Sequence, residues 1–250
     1  MTSLASREGN SQAPSSGGNA DWRGLLTGAG WAAVLTAVLI PIQIVIFMRY
    51  AFPETVEGWF GLLQDNAMAG LVNLDVLLVA VNVLLIGIVL GLYVVLRPVS
   101  RSVMTIAIAL SFLSIAMYVA INPAIQMLGL SDQFAVATGD AERLTILAAG
   151  QGLLASWEGT AFHVAYIVGQ IAGVLIGLVM FRSHLFGKAI PYTLIAGNAL
   201  GFGFYLPTVG LALSALAGVV LWLWYILIIP KFFWLARGGT DFTLVQKEYV

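Results

Sequence analysis

Cysteine is absent from this chain of 250 residues, and charged residues make up only 9% of it. Without thiols the protein can form no disulfide, thiolate nucleophile, iron–sulfur cluster or cysteine zinc site. The two histidines, His163 and His184, would lie about 31 Å apart on helical geometry, so they cannot ligate one haem within a subunit. A net charge of −1 does not indicate binding to nucleic acid, which is typical of strongly basic proteins. The sequence predicts neither a cofactor nor a metal site.

Apolar residues dominate what is present: they make up 60% of the chain, and the mean hydropathy is +0.96. A soluble domain would carry about 25% charged residues. Apolar runs continue from Leu25 to Leu235 with few interruptions, and a membrane-spanning helix needs about 20 such residues. We therefore predict an all-α, polytopic membrane protein with a single bundle of six transmembrane helices. The predicted spans are residues 25–48, 70–96, 103–128, 157–181, 189–206 and 209–234.

Polar tails flank the predicted transmembrane domain, which covers residues 23–237. Residues 1–22 are rich in Ser, Gly, Asn and Pro and are typical of a disordered tail. Residues 238–250 form a second polar tail. The first apolar run is longer than a signal-peptide core and has no convincing cleavage site, so we expect it to remain as a span.

The basic residues predict the orientation, because cytoplasmic loops are enriched in Lys and Arg. If both termini are cytoplasmic, only Arg49 and Arg143 lie outside. The nine basic residues that then lie inside are Arg7, Arg23, Arg97, Arg101, Arg182, Lys188, Lys231, Arg237 and Lys247. We expect Arg97, Arg101, Arg182 and Lys188 to set the topology and contact anionic headgroups of membrane lipids.

Polar side chains within spans are costly and therefore are candidates for function. In the predicted topology they lie in the outer halves of the spans or near mid-depth. This distribution predicts a polar pocket that opens outward and closes near the midplane. The candidate ligand-binding or proton-carrying residues are Asp75, Asn82, Asn122, His163 and Gln170.

Several functional alternatives remain open at this level. The pocket favours small-molecule or proton-coupled binding or transport, with Asp75 or His163 carrying protons or orienting a polar ligand of unknown identity. Polar residues such as Asn122 could instead form hydrogen bonds between helices, which favours a structural or accessory protein. An intramembrane enzyme is a third alternative, but the chain lacks an HExxH motif and a Ser–His–Asp arrangement at suitable spacing, and no catalytic residue is predicted.

Glycines recur at a spacing of four residues, which lets helix backbones approach closely. We expect these residues to pack helices within the chain, or between copies of it in a homo-oligomer. They are Gly87, Gly91, Gly169, Gly173, Gly177, Gly197 and Gly201. Three aromatic residues of the last span, Trp222, Trp224 and Tyr225, are expected to contact lipid or the core rather than a ligand.

Two segments resemble a bacterial family called domain of unknown function 4386. Residues 92–102, LYVVLRPVSRS, resemble its span-ending LYxLLRPVNRSLA stretch, and residues 163–188 are similar to its HG…G…LGYLIYRSGFLPR segment. The chain departs from that segment at His184 and at residues 186–188, where the family usually has Gly and Leu-Pro-Arg. The resemblance covers residues 25–237. It implies a six-span protein of the bacterial inner membrane, and it implies no catalytic residue.

Overall fold

The computed structural model describes residues 22–183 and 185–239, and within these ranges all regular structure is helical. The all-α prediction is therefore confirmed for the described part of the chain. His184 and the predicted tails lie outside it, apart from residues 22, 238 and 239. The helices are α1 (Arg23–Arg49), α2 (Val56–Asp65), α3 (Ala67–Asn73), α4 (Val76–Leu96), α5 (Arg101–Ile121), α6 (Ala124–Val136), α7 (Asp140–Trp157), α8 (Thr160–Arg182), α9 (Ala189–Gly201) and α10 (Gly210–Ala236), with a 3₁₀ helix at Phe202–Tyr205.

Long apolar helices indicate a multi-pass membrane protein. Five segments are long and apolar enough to cross a membrane, and they are Arg23–Arg49, Val76–Leu96, Arg101–Val136, Asp140–Arg182 and Gly210–Ala236. Along α1, the side chains of Trp31, Leu35, Val38, Ile42 and Val45 are exposed. Their spacing of three and four residues places them on one face. Such an apolar face suits contact with lipid.

Six helices form a closed ring, and they correspond to the six predicted spans. Each of α1, α4, α5, α8, α9 and α10 packs against the next one along the chain, and α10 packs against α1. Helix α9 is the exception in length, with 13 residues, or about 20 Å at 1.5 Å per residue. It is not among the segments long enough to cross a membrane.

Small residues lie where neighbouring helices of the ring approach each other. At six of the seven glycines in the predicted packing set, an added Cβ would press against a side chain of another helix. These contacts are Gly91 with Ala29, Gly169 with Ser114, Gly173 with Asn198, Gly177 with Ile195, Gly197 with Leu221, and Gly201 with Gln170. Gly87 differs, because a Cβ there would meet no described atom within 4 Å. No described helix therefore packs closely against Gly87.

Two predicted spans are shorter than expected because the backbone breaks inside them. The second begins at Val76 rather than residue 70, since Asp75 has a φ of 62° and separates α3 from α4. The third ends at Ile121 rather than residue 128, where Asn122 is extended and precedes Pro123. A proline disfavours helical backbone in the residue before it and lacks the N–H that a helix interior requires.

The segments displaced from these spans build a second layer at one end of the ring. Helices α2, α3, α6 and α7 cover residues that lie between the predicted spans or at their ends. We call these four helices the outer layer. Phe60, Leu74, Ala124 and Met127 are fully buried in its hydrophobic core. The fourth predicted span also begins later than expected, at Thr160, because α7 ends at Trp157.

Most charged residues of the described ranges separate to opposite ends of the ring; Arg49 and Arg143 are the basic residues that lie on the side of the outer layer. Seven basic residues lie at or near the helix ends away from the outer layer: Arg23, Arg97, Arg101, Arg182, Lys188, Lys231 and Arg237. We call this side the basic end. The acidic residues lie in or beside the outer layer: Glu54, Glu57, Asp65, Asp75, Asp132, Asp140, Glu142 and Glu158. Sequential helices of the ring alternate in direction, so basic residues far apart in the chain meet on one side.

Candidate functional site

A cavity of about 270 Å³ lies inside the ring, with walls formed by α4, α5, α8, α9 and α10. Along α4 it extends from Leu78 to Leu92, which is about 21 Å at 1.5 Å per residue. All its lining residues are described, and none of them carries a formal charge. Its polar lining residues are Asn82, Ser111, Ser114, Tyr118, Tyr166, Gln170, Asn198, Trp224 and Tyr225.

Two asparagines of the wall use their amide N–H groups within their own helices. Asn82 Nδ2 donates to the carbonyl of Leu78 at 2.9 Å, and Asn198 Nδ2 donates to the carbonyl of Leu194 at 2.7 Å. These bonds fix the amide orientations. Each asparagine consequently retains its Oδ1 acceptor and one further N–H donor.

Four hydroxyl groups of the wall also donate to protein acceptors. Tyr118 donates to the Asp75 carboxylate at 3.0 Å. The other three donate to backbone carbonyls: Ser111 to Ala107, Ser114 to Ala165 and Tyr166 to Gly201. Their protons are therefore engaged, and the hydroxyl oxygens remain as weak acceptors.

Gln170 and Trp224 differ from the rest of the wall. Gln170 is 8% exposed and Trp224 is 3% exposed. Neither Gln170 Oε1 nor Trp224 Nε1 makes a hydrogen bond with any described residue. Leaving a buried polar atom unpaired costs about 1–3 kcal/mol. Both residues line the cavity, so two buried, unpaired polar atoms lie in its wall.

Asp75 lies behind this wall at the break between α3 and α4. Its Oδ1 accepts a hydrogen bond from Gln43 Nε2 at 2.8 Å, and its Oδ2 accepts the one from Tyr118. Asp75 is not itself a lining residue, whereas Tyr118 is. The carboxylate therefore reaches the cavity only through the tyrosine hydroxyl, and it also joins α1, α4 and α5.

Asn122 connects the two helix breaks. Its Nδ2 donates to the carbonyl of Leu74 at 2.7 Å, and its Oδ1 accepts from the backbone N–H of Ala124 at 3.1 Å. Asn73 similarly donates to the carbonyl of Tyr50 at 3.2 Å. These amides satisfy backbone groups where helices end.

His163 lies in the first turn of α8, on the side of the outer layer and outside the cavity lining. Its Nδ1 lies 3.2 Å from the hydroxyl of Tyr205. Its ring also contacts Phe162 and Tyr205. This histidine therefore belongs to an aromatic cluster between α8 and the 3₁₀ helix.

The structure thus divides the five candidate residues into two groups. Asn82 and Gln170 line the cavity together, whereas Asp75, Asn122 and His163 lie outside its lining. Asn198 and Trp224 also line the cavity, although the sequence does not predict them as pocket residues and favours lipid or core contacts for Trp224 and Tyr225. Trp222 instead donates to the carbonyl of Ala37 on α1. The four basic candidates, Arg97, Arg101, Arg182 and Lys188, are exposed at the basic end.

Trp224 could not be predicted as a pocket residue from the sequence. Its indole N–H is left unpaired by the way the helices pack, and no local sequence pattern indicates that. For Asn198 a signal was available, since an asparagine in an apolar segment four residues after Leu194 can bond to that residue's carbonyl and turn its own oxygen outward. The residues that face it across the ring were not predictable from that segment alone.

Comparison with known proteins finds no match to this chain among family models, curated proteins or solved structures. The resemblance of residues 92–102 and 163–188 to domain of unknown function 4386 therefore stays a prediction. The volume, walls and hydrogen-bonding groups of the cavity are the basis for inferring function.

Proposed function

We propose that this protein binds a small molecule inside the helix ring, as a membrane binding or transport protein. The observation that carries the proposal is the unpaired carboxamide oxygen of Gln170, which is buried at the cavity wall. Trp224 Nε1 supports it as a second unpaired polar atom at the same cavity. Ligand sites commonly combine apolar walls with a few convergent polar groups.

The proposal includes six membrane spans with both termini in the cytoplasm. Helix α9 covers about 20 Å, and the following 3₁₀ helix of four residues adds about 8 Å. Together they approach the roughly 30 Å of a bilayer core. The basic end would face the cytoplasm and contact anionic lipid, in accord with the positive-inside rule. The family resemblance favours the bacterial inner membrane.

Within the cavity, Asn82, Gln170 and Asn198 would contact the bound molecule directly. Asp75 would act through Tyr118, whose hydroxyl it holds in one orientation. The more polar part of the cavity lies towards the outer layer, which this topology places outside the cell.

A structural or accessory role is the second candidate. It is favoured by Asp75 and Asn122, whose hydrogen bonds join helix breaks rather than face the cavity. In that case the polar wall would serve only to pack the ring, and small molecules would not enter it.

Single cysteines can separate the two candidates, because the natural chain has none. The test variant is Ser111→Cys, which replaces one hydroxyl of the cavity wall. The matched control is Ser131→Cys, at a fully buried serine of the outer layer that does not line the cavity. Each purified variant would be treated with N-ethylmaleimide in lipid nanodiscs, and modification would be measured by intact mass.

Rapid modification of the native Ser111→Cys variant, with Ser131→Cys reacting only after denaturation, is the expected result. Equal protection of both cysteines in folded protein would contradict a binding cavity and favour the structural role. Should Ser111→Cys fail to fold, Ser114→Cys tests the same wall from the same helix.

A further inference from the structure

The cavity wall has no charge to neutralise a charged ligand. Its lining residues, all described, include no Asp, Glu, Lys, Arg or His. Asp75 lies behind Tyr118, and both of its carboxylate oxygens already accept hydrogen bonds. Burying an unpaired charge is far more costly than burying a neutral polar group. An uncharged molecule therefore suits this cavity best.

The wall carries both acceptors and a donor, because Trp224 Nε1 is an unpaired N–H donor beside the amide oxygens. Asn82 and Asn198 each have an amide N–H bonded to a backbone carbonyl of their own helix, which leaves Oδ1 on the wall. Gln170 Oε1 adds an acceptor with no partner among the described residues. A molecule that satisfies these oxygens must donate hydrogen bonds, as a hydroxyl or an amide N–H does.

The other part of the cavity is apolar. Leu92, Ile176 and Leu194 line it and also belong to the large hydrophobic core of the ring. On α8 the lining residues run from Ala165 through Gln170 to Ile176, a distance of about 17 Å. Polar groups thus lie towards the outer layer and apolar groups towards the basic end.

The volume indicates the size of molecule that the cavity can hold. About 270 Å³ corresponds to roughly nine groups of about 30 Å³, the share of one water molecule in the liquid. A straight chain of eight carbons with one hydroxyl has this number of non-hydrogen atoms.

From these features we infer that the cavity takes an uncharged amphiphile with a hydrogen-bond donor, such as a medium-chain alcohol. The hydroxyl donates to the acceptors around Gln170, and the alkyl chain extends towards Leu92 and Ile176. This inference rests on the proposed binding function and specifies the chemical class of its ligand.

The test compares four probes with the same chain length: octanol, octane, octanoate and octylammonium. Each is added to nanodiscs that contain the Ser111→Cys variant, at equal mole fraction in the lipid, and the rate of reaction with N-ethylmaleimide is measured. We expect octanol to slow the reaction in a saturable manner and the other three to have little effect. In a Gln170→Leu background the octanol concentration for half-protection should rise about tenfold, which corresponds to 1.4 kcal/mol.

The control background is Gln133→Leu, which removes an exposed glutamine of the outer layer away from the cavity. It should leave protection by octanol unchanged. Equal protection by octane, or stronger protection by octanoate or octylammonium, would overturn the inferred class, as would the absence of protection by any probe. If Gln170→Leu fails to fold, the probe series on the Ser111→Cys protein alone decides.

The two proposals fail in different ways. A Ser111→Cys protein that never reacts in its native state contradicts the binding function itself. A protein that reacts but is not protected by octanol contradicts only the ligand class.

Discussion

Replacing Asn122 with leucine should strongly destabilise the protein. Asn122 lies where α5 ends, and it donates to the carbonyl of Leu74 at the break before α4. Leu74 is fully buried, so water cannot readily replace the lost donor. The same substitution removes the acceptor for the N–H of Ala124.

The magnitude follows from these two bonds. A hydrogen bond between membrane helices contributes about 0.6 kcal/mol on average, and a buried polar group left without a partner costs about 1–3 kcal/mol. We expect Asn122→Leu to lower the free energy of unfolding by about 2 kcal/mol, which shifts the folding equilibrium about thirtyfold.

Asn82→Leu is the matched control, because it also removes a partly buried asparagine. Asn82 donates only to the carbonyl of Leu78, one turn earlier on the same helix. That helical carbonyl keeps its backbone partner, so the expected change is within about 0.5 kcal/mol.

The assay is equilibrium unfolding of the purified variants by sodium dodecyl sulfate in mixed micelles, followed by circular dichroism. The reasoning is refuted if Asn122→Leu and Asn82→Leu unfold at the same detergent fraction as the wild type. It is also refuted if Asn82→Leu is the more destabilised of the two.

Two further predictions use the same assay. Gly173→Ala should cost about 1–3 kcal/mol, since the added methyl group overlaps the Asn198 side chain, whereas Gly87→Ala should be neutral or gain up to about 1 kcal/mol. Asp75→Ala should be more destabilising than Asp75→Asn. Alanine cannot accept the bond from Tyr118, and the φ of 62° costs most L-residues about 1–2 kcal/mol but is tolerated by asparagine.

Each of these predictions has an outcome that would contradict it. Equal stabilities of Gly173→Ala and Gly87→Ala would show that the ring does not pack as closely at α9 as the structure indicates. Equal losses for Asp75→Ala and Asp75→Asn would assign the effect to the carboxylate charge rather than to hydrogen bonding and backbone conformation.

The two helix breaks differ in how well the local sequence predicts them. Pro123 lies inside the predicted third span, and it could have signalled the break at Asn122 because proline restricts the residue before it. The break at Asp75 has weaker local signals. Its left-handed backbone is compensated by hydrogen bonds from Gln43 and Tyr118, which come from two other helices.

The polar residues of the candidate site could be predicted from the sequence, but their roles could not. Asn82 and Gln170 are polar residues in strongly apolar segments, and that contrast alone marks them. Asp75 and Asn122 show the same contrast, yet they satisfy groups at helix breaks. Which role a buried polar residue takes depends on the atoms it meets, and those atoms belong to distant parts of the chain.

The sequence by itself determined the helical, multi-pass character of this protein and the approximate position of its helices. Both follow from composition and from apolar run length, because unpaired backbone groups are too costly in a bilayer. Only the tertiary structure decided the closure of the ring, the outer layer and the walls of the cavity. These features depend on contacts between helices far apart in sequence, such as that of Gly201 with Gln170. A hydropathy average over a segment contains no information about which distant residues that segment contacts.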